Sequence, residues 1–100
     1  MIVTILEAHV PPDRAPALQA AYGSAGDKPL PPGLVRTELL REARDADRWR
    51  IQTWWASREA LESMRAAVGT PAGILMFRAA GAEPTIAVFE IVDALPRAET

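Results

Sequence analysis

Apolar and β-branched positions dominate from Ile2 to Val10, without Gly or Pro, which predicts a strand. Its faces differ: Ile2, Thr4, Leu6, Ala8 and Val10 point one way, Val3, Ile5, Glu7 and His9 the other. Pro11-Pro12 ends the strand, because neither residue can donate to a ladder, and Asp13 is expected to cap the first helix. Leu18 and Tyr22, four apart in an Ala-rich stretch, predict that short helix from Arg14 to about Tyr22, with Pro16 in its first turn and a stop at Gly23-Ser24-Ala25-Gly26. Three prolines between Asp27 and Gly33 make an irregular connection. Strands are predicted over Leu34 to about Ala43 and Arg48 to Trp55, joined by the polar turn Arg44-Asp45-Ala46-Asp47 as an antiparallel hairpin. Leu61, Met64 and Val68 repeat at helical spacing behind an N-capping Ser57, with Gly69 as the stop. Thr70-Pro71 starts another helix through about Ala80, and a last strand runs from Thr85 to Val92. Residues 1–95 are expected to form one domain and 96–100 a flexible C-terminal tail.

The order β-α-β-β-α-(α)-β is the split βαβ, ferredoxin-like pattern: an α+β fold with four antiparallel strands and helices on one face. The other face then needs a cover. Val3 and Ile5 on the first strand, and the large side chains Trp49, Trp54 and Trp55 on one face or the other, are poor partners for water, and contiguous apolar patches usually mark an interface. Two sheets packed face to face would bury them, so a homodimer through the sheet face is expected. A chain of 100 residues has little room for both a core and a deep cavity, which points the same way.

Composition narrows the chemistry. Apolar residues at 49% and charged residues at 24% are those of a globular domain. A net charge of −2 and a single lysine, Lys28, leave no basic stripe for nucleic acid. No apolar run is long enough for a membrane span, and the opening Met1–Leu6 has neither a positive n-region nor a cleavage site, so a soluble, cytoplasmic protein without a signal peptide is expected. The absence of Cys removes disulfides, thiolate nucleophiles and thiolate metal sites, and a lone His9 removes multi-histidine metal sites and Ser-His triads within one chain. No metal site is expected.

The run Gln52-Thr53-Trp54-Trp55-Ala56-Ser57-Arg58-Glu59-Ala60-Leu61 resembles the signature of the antibiotic biosynthesis monooxygenase-like domains, in which a strand ends in Trp, a Ser caps the helix two residues later, and a Leu lies four beyond. Val10-Pro11-Pro12-Asp13, Pro32-Gly33 and Thr70-Pro71 resemble that family's other turns, and the likeness extends over nearly the whole chain in element order. The resemblance implies a dimeric α+β barrel with a pocket between each subunit's sheet and helices. It also implies cofactor-independent oxygenation of a small aromatic, quinol-type or polyketide-like metabolite. The family also holds haem-degrading enzymes and isomerases.

Departures from the family pattern matter too. This chain contains no Asn, which related enzymes place near the pocket Trp, and has Met64 and Ala72 where others have His. No helix carries a His to ligate haem, so no cofactor is expected. Cofactor-free oxygenation needs a base and an apolar pocket. Glu7 and His9, together on one strand face, are the catalytic candidates, with Glu38 and Glu90 as further carboxylates. Trp55 is the expected flat wall for an apolar or aromatic ligand, with its N–H as a polar handle. Trp49 shares its face, and Trp54 points oppositely, toward the dimer interface. Thr53, Tyr22, Met64, Met76 and Phe77 complete the binding candidates. Arg36, Arg41, Arg48 and Arg50 are expected to form cross-strand ion pairs with Glu38 and Glu42. The alternatives are a non-catalytic dimeric binding or accessory module and a small-metabolite isomerase or cyclase on the same scaffold.

Overall fold

The computed structural model describes residues 1–97. Strands β1 (Ile2–His9), β2 (Leu34–Arg41), β3 (Arg48–Trp55) and β4 (Thr85–Glu90) and helices α1 (Ala15–Ala25), α2 (Arg58–Ala67) and α3 (Ala72–Ala79) follow in the order β1-α1-β2-β3-α2-α3-β4. The strands form one antiparallel sheet in the order β2-β3-β1-β4, with the helices over one face, as the ferredoxin-like pattern requires. The expected tail begins at residue 96, and its last residues, 98–100, lie outside the described residues.

Several ends differ from the sequence pattern, each for a physical reason. Gly23 and Ser24 do not stop α1, which runs to Ala25; a glycine inside a helix costs about 1 kcal/mol but does not forbid it. Arg14, not Asp13, is the N-cap, and the first amides donate to the Pro11 carbonyl instead of to a side chain. Pro71, not Thr70, precedes α3, again without a side-chain cap. At α2 the expected cap is present: Ser57 Oγ accepts from the Ala60 amide at 3.1 Å. β2 and β4 each end two residues early, β2 where the Glu42 amide closes the hairpin onto the Arg48 carbonyl.

The core has two parts. Leu6, Val10, Leu18, Trp49, Ile51 and Phe77 pack where α1 and α3 cover the lower half of β1 and β3. Ile2, Trp55 and Leu61 form a smaller cluster under α2. Gly33 keeps the second cluster tight: its φ is +84°, and a methyl there would collide with Ala60 on α2. Between the clusters the helices do not close on the sheet.

Candidate functional site in the sheet–helix cavity

That gap is a cavity of about 300 Å³, floored by the central strands and roofed by the helices and the Pro-rich connection. The floor carries a row of threonines. Strand register sets Thr4 opposite Thr53 and Thr53 opposite Thr37, so three hydroxyls cross β1, β3 and β2 side by side. Thr53 Oγ1 donates to Thr37 Oγ1 at 3.1 Å. At one end the Trp55 indole N–H donates to Thr4 Oγ1 at 3.2 Å, which fixes the ring as a wall. Trp55 is 4% exposed.

The other walls are apolar. Tyr22 enters from α1, Met64 from α2 and Met76 from α3, while Leu30 and Pro31 stand at the mouth. Gly73, in the first turn of α3, lets the helix approach Leu6: a Cβ there would come within 2.6 Å of its Cδ1. Tyr22 is the one titratable side chain in the lining.

Of the residues that the sequence pattern marks, Trp55, Thr53, Tyr22, Met64 and Met76 therefore meet at this cavity. Trp49 and Phe77 do not line it; both are sealed in the larger core cluster, where the Trp49 N–H has no hydrogen-bond partner. The pattern alone does not mark Thr4, Thr37 or Gly73 as site residues. Alternation sets Thr4 on the right face, but the threonine row exists only through register between strands far apart in sequence.

Glu7 and His9 share a face, as alternation requires, and it is the face turned away from the cavity. Register sets Glu7 opposite Arg50, and its carboxylate accepts from Arg48 at 2.8 Å and from Arg50 at 2.8 and 3.1 Å. These bonds, Arg48's first, hold the Glu7 carboxyl below its usual range and make it the ion-pair partner of both guanidinium groups. His9 Nδ1 lies 3.9 Å from an Asp45 carboxylate oxygen, with the ring 72% exposed. Arg48 and Arg50 thus pair with Glu7 across β1 and β3, not with Glu38 or Glu42 on the β2 side; Arg36 takes Glu38 on its own strand, and Glu42 turns back to the Arg44 amide. Glu90 is paired with Arg58 at 2.6 Å. Among the described residues, no three His, Cys, Asp or Glu side chains converge to hold a metal ion, and no helix is long and apolar enough to cross a membrane.

The fold recurs in solved structures. A candidate antibiotic biosynthesis monooxygenase from Deinococcus radiodurans superposes with a TM-score of 0.76 at 15% identity, over 99% of this chain and 100% of that one. A mutant of SnoaB, a cofactor-independent oxygenase from Streptomyces nogalater, gives 0.73 at 20% identity, over 96% and 97%. Rv0793 from Mycobacterium tuberculosis gives 0.70 at 20% identity, over 94% and 97%. No curated protein matches the chain significantly. The sequence model of the antibiotic biosynthesis monooxygenase family matches residues 1–69, from β1 to just past α2, the segment that supplies the threonine row and Trp55. With that match, the monooxygenase-like scaffold and its cavity make this chain a member of the antibiotic biosynthesis monooxygenase family.

Proposed function

We propose that the protein is a cytoplasmic, cofactor-independent monooxygenase for a small aromatic, quinol-type or polyketide-like metabolite bound between sheet and helices. One observation carries the reading: an apolar cavity of ligand size walled by Trp55, whose polar groups are the hydroxyls of Thr4, Thr53 and Thr37 in a row and the phenol of Tyr22. Such a site suits a flat, electron-rich ring carrying an acidic C–H or O–H. Thr4 and Thr37, which accept from Trp55 and Thr53, keep their own hydroxyl protons to donate, with the Tyr22 phenol, to the oxygen that becomes negative when the ring loses its proton, and in an apolar cavity that stabilisation is strong. The anion then supplies the electrons. For an anthrone, the ring carbon loses its two C–H bonds and gains a C=O, one atom of dioxygen enters the quinone and the other leaves as water. The substrate loses two hydrogens and gains one oxygen while dioxygen is reduced, so the protein's part is to bind, orient and favour the anion.

The active form in this reading is a homodimer through the open sheet face. Phe89, 55% exposed, and the half-buried Trp54 flank the buried Val3 on that face, an apolar strip that a second copy would cover. Among the described residues no carboxylate, His or Lys lines the cavity, which favours one second reading, a dimeric binding module that holds such a ligand without turnover.

Anthrone, offered with an oxygen electrode and product analysis, separates the two. Enzyme-dependent uptake of one dioxygen per anthraquinone formed, reduced roughly ten- to hundredfold by Thr37→Val, supports oxygenation. Binding seen as a change in tryptophan fluorescence, without oxygen uptake, supports the module. Neither uptake nor binding overturns both.

A further inference from the structure

The floor residues Thr4 and Leu6 also belong to a second cavity, of about 340 Å³, on the β4 side of β1. The two cavities share the same arch: Met64 from α2 and Pro71 from the link between α2 and α3 pass over Thr4 and Leu6, with the Trp55 lobe on one side and the β4 lobe on the other. Met64 is half-buried, and a methionine side chain is unbranched with three rotatable bonds, so the partition is soft. Beyond it the β4 lobe is lined by Leu61, Ile74 and the half-exposed Ile86, and by one charged side chain, Arg65. Arg58 and Arg78, the other helix arginines outside α1's cap, are engaged by Glu90 and Glu83. Arg65 makes no ion pair among the described residues.

We infer that the two lobes are one binding site divided by Met64, and that the ligand is a two-part molecule: a flat apolar body against Trp55 and an arm bearing an acidic group that passes under Met64 to Arg65. This rests on the Trp55 cavity being the ligand site. An apolar lobe open to solvent with a single free cation at its rim matches an amphipathic anion better than an uncharged hydrocarbon arm, because the guanidinium supplies paired donors to an oxyanion without a competing carboxylate. Met64 then sets length selectivity: its side chain yields to a thin arm and excludes a second fused ring.

Two fluorescent probes test this, 4-(naphthalen-2-yl)butane-1-sulfonate, whose thin arm carries the acidic group, and its uncharged counterpart 4-(naphthalen-2-yl)butan-1-ol, titrated into the intact protein and its variants. Arg65→Gln is expected to weaken the sulfonate about tenfold while leaving the uncharged probe unchanged, with Arg65→Lys restoring part of the loss. Met64→Trp, which plugs the arch, is expected to abolish the sensitivity of the sulfonate to residue 65. Equal affinity of the sulfonate for the parent protein and Arg65→Gln overturns the inference, and it does so on an exposed substitution that leaves the core intact. Trp55→Leu distinguishes the deeper failure. If it weakens the uncharged probe while Arg65→Gln changes nothing, the Trp55 cavity stands and the second lobe falls. If neither probe responds to Trp55→Leu, or neither binds, both readings fall.

Discussion

The two faces of the sheet are built from alternate residues of the same strands and solve opposite problems. On the helix side, β1 and β3 present Ile2, Thr4, Leu6 and Trp49, Ile51, Thr53, Trp55, and the helices bury nearly all of them while leaving gaps over Thr4 and Leu6. On the open side the same strands present Val3, Glu7 and Arg48, Arg50, Gln52, Trp54, a mixture of apolar strip and ion pairs. Trp54 and Trp55 are neighbours in sequence and strangers in space. Trp55 is locked by a hydrogen bond to Thr4 inside a core cluster; Trp54 lies half-buried under the Arg36 guanidinium, 4.9 Å from its ring centre. Only the pleat of a strand separates them, so a single residue's shift in register would exchange the cavity wall for the proposed interface.

Substituting these neighbours is the sharpest way to break the comparison. Trp55→Ala removes a buried indole and leaves its cluster hollow, and is expected to cost about 3–5 kcal/mol in urea unfolding. Trp54→Glu is expected to leave the folded subunit nearly as stable, with Arg36 beside the new carboxylate, but to shift native mass spectra from the proposed dimer to monomer, since a charge must be stripped of water to enter a packed sheet–sheet interface. A loss of several kcal/mol for Trp54→Glu at concentrations where the protein is monomeric would show that the open face is itself core. Gly33→Ala tests the smaller cluster from the other side: the strained φ and the collision with Ala60 are expected to cost about 1–3 kcal/mol by the same measurement. Ser57→Ala, which removes the α2 cap beneath Trp55, is expected to cost about 1 kcal/mol.

The smallest effect lies with Glu7. Its carboxyl is held below the ordinary value by Arg48 and Arg50, so the folded state favours the ionised form. The stabilisation is therefore complete above the unfolded pKa, near 4.5, and is lost as pH falls through the lower folded value. Glu7→Gln is expected to reduce stability at pH 7 by less than about 1 kcal/mol, to flatten the acid limb of the stability curve, and to leave oxygen uptake unchanged, because the pair is partly exposed and faces away from the cavity. A large loss of turnover in Glu7→Gln or His9→Ala, with stability intact, would return the chemistry to the open face.

Much of this is legible in the chain. Alternation along Ile2–Val10 and Arg48–Trp55 assigns every side chain there to a face, because strand period is a local property. The capping Ser57 marks where α2 begins for an equally local reason, a side-chain oxygen three residues from an amide that needs it. Hydrophobic size and helical spacing find Tyr22, Met64 and Met76, yet do not separate them from Phe77, since a core residue and a cavity wall obey the same pattern until the helices are placed.

Register and layer were decided only by the tertiary structure. Thr4, Thr53 and Thr37 are 49 and 16 residues apart along the chain, and nothing local says they will stand in one row. Likewise Glu7 could have met the carboxylates and arginines of either hairpin strand; pairing β1 with β3 set it opposite Arg50 and made it the acceptor of two guanidinium groups. The amino-acid sequence determined which residues are apolar, where strands and helices begin, and that the two faces would differ. Which face received the helices, where they failed to meet, and hence where a ligand can sit, depended on packing between segments distant in sequence, a property that no single segment carries.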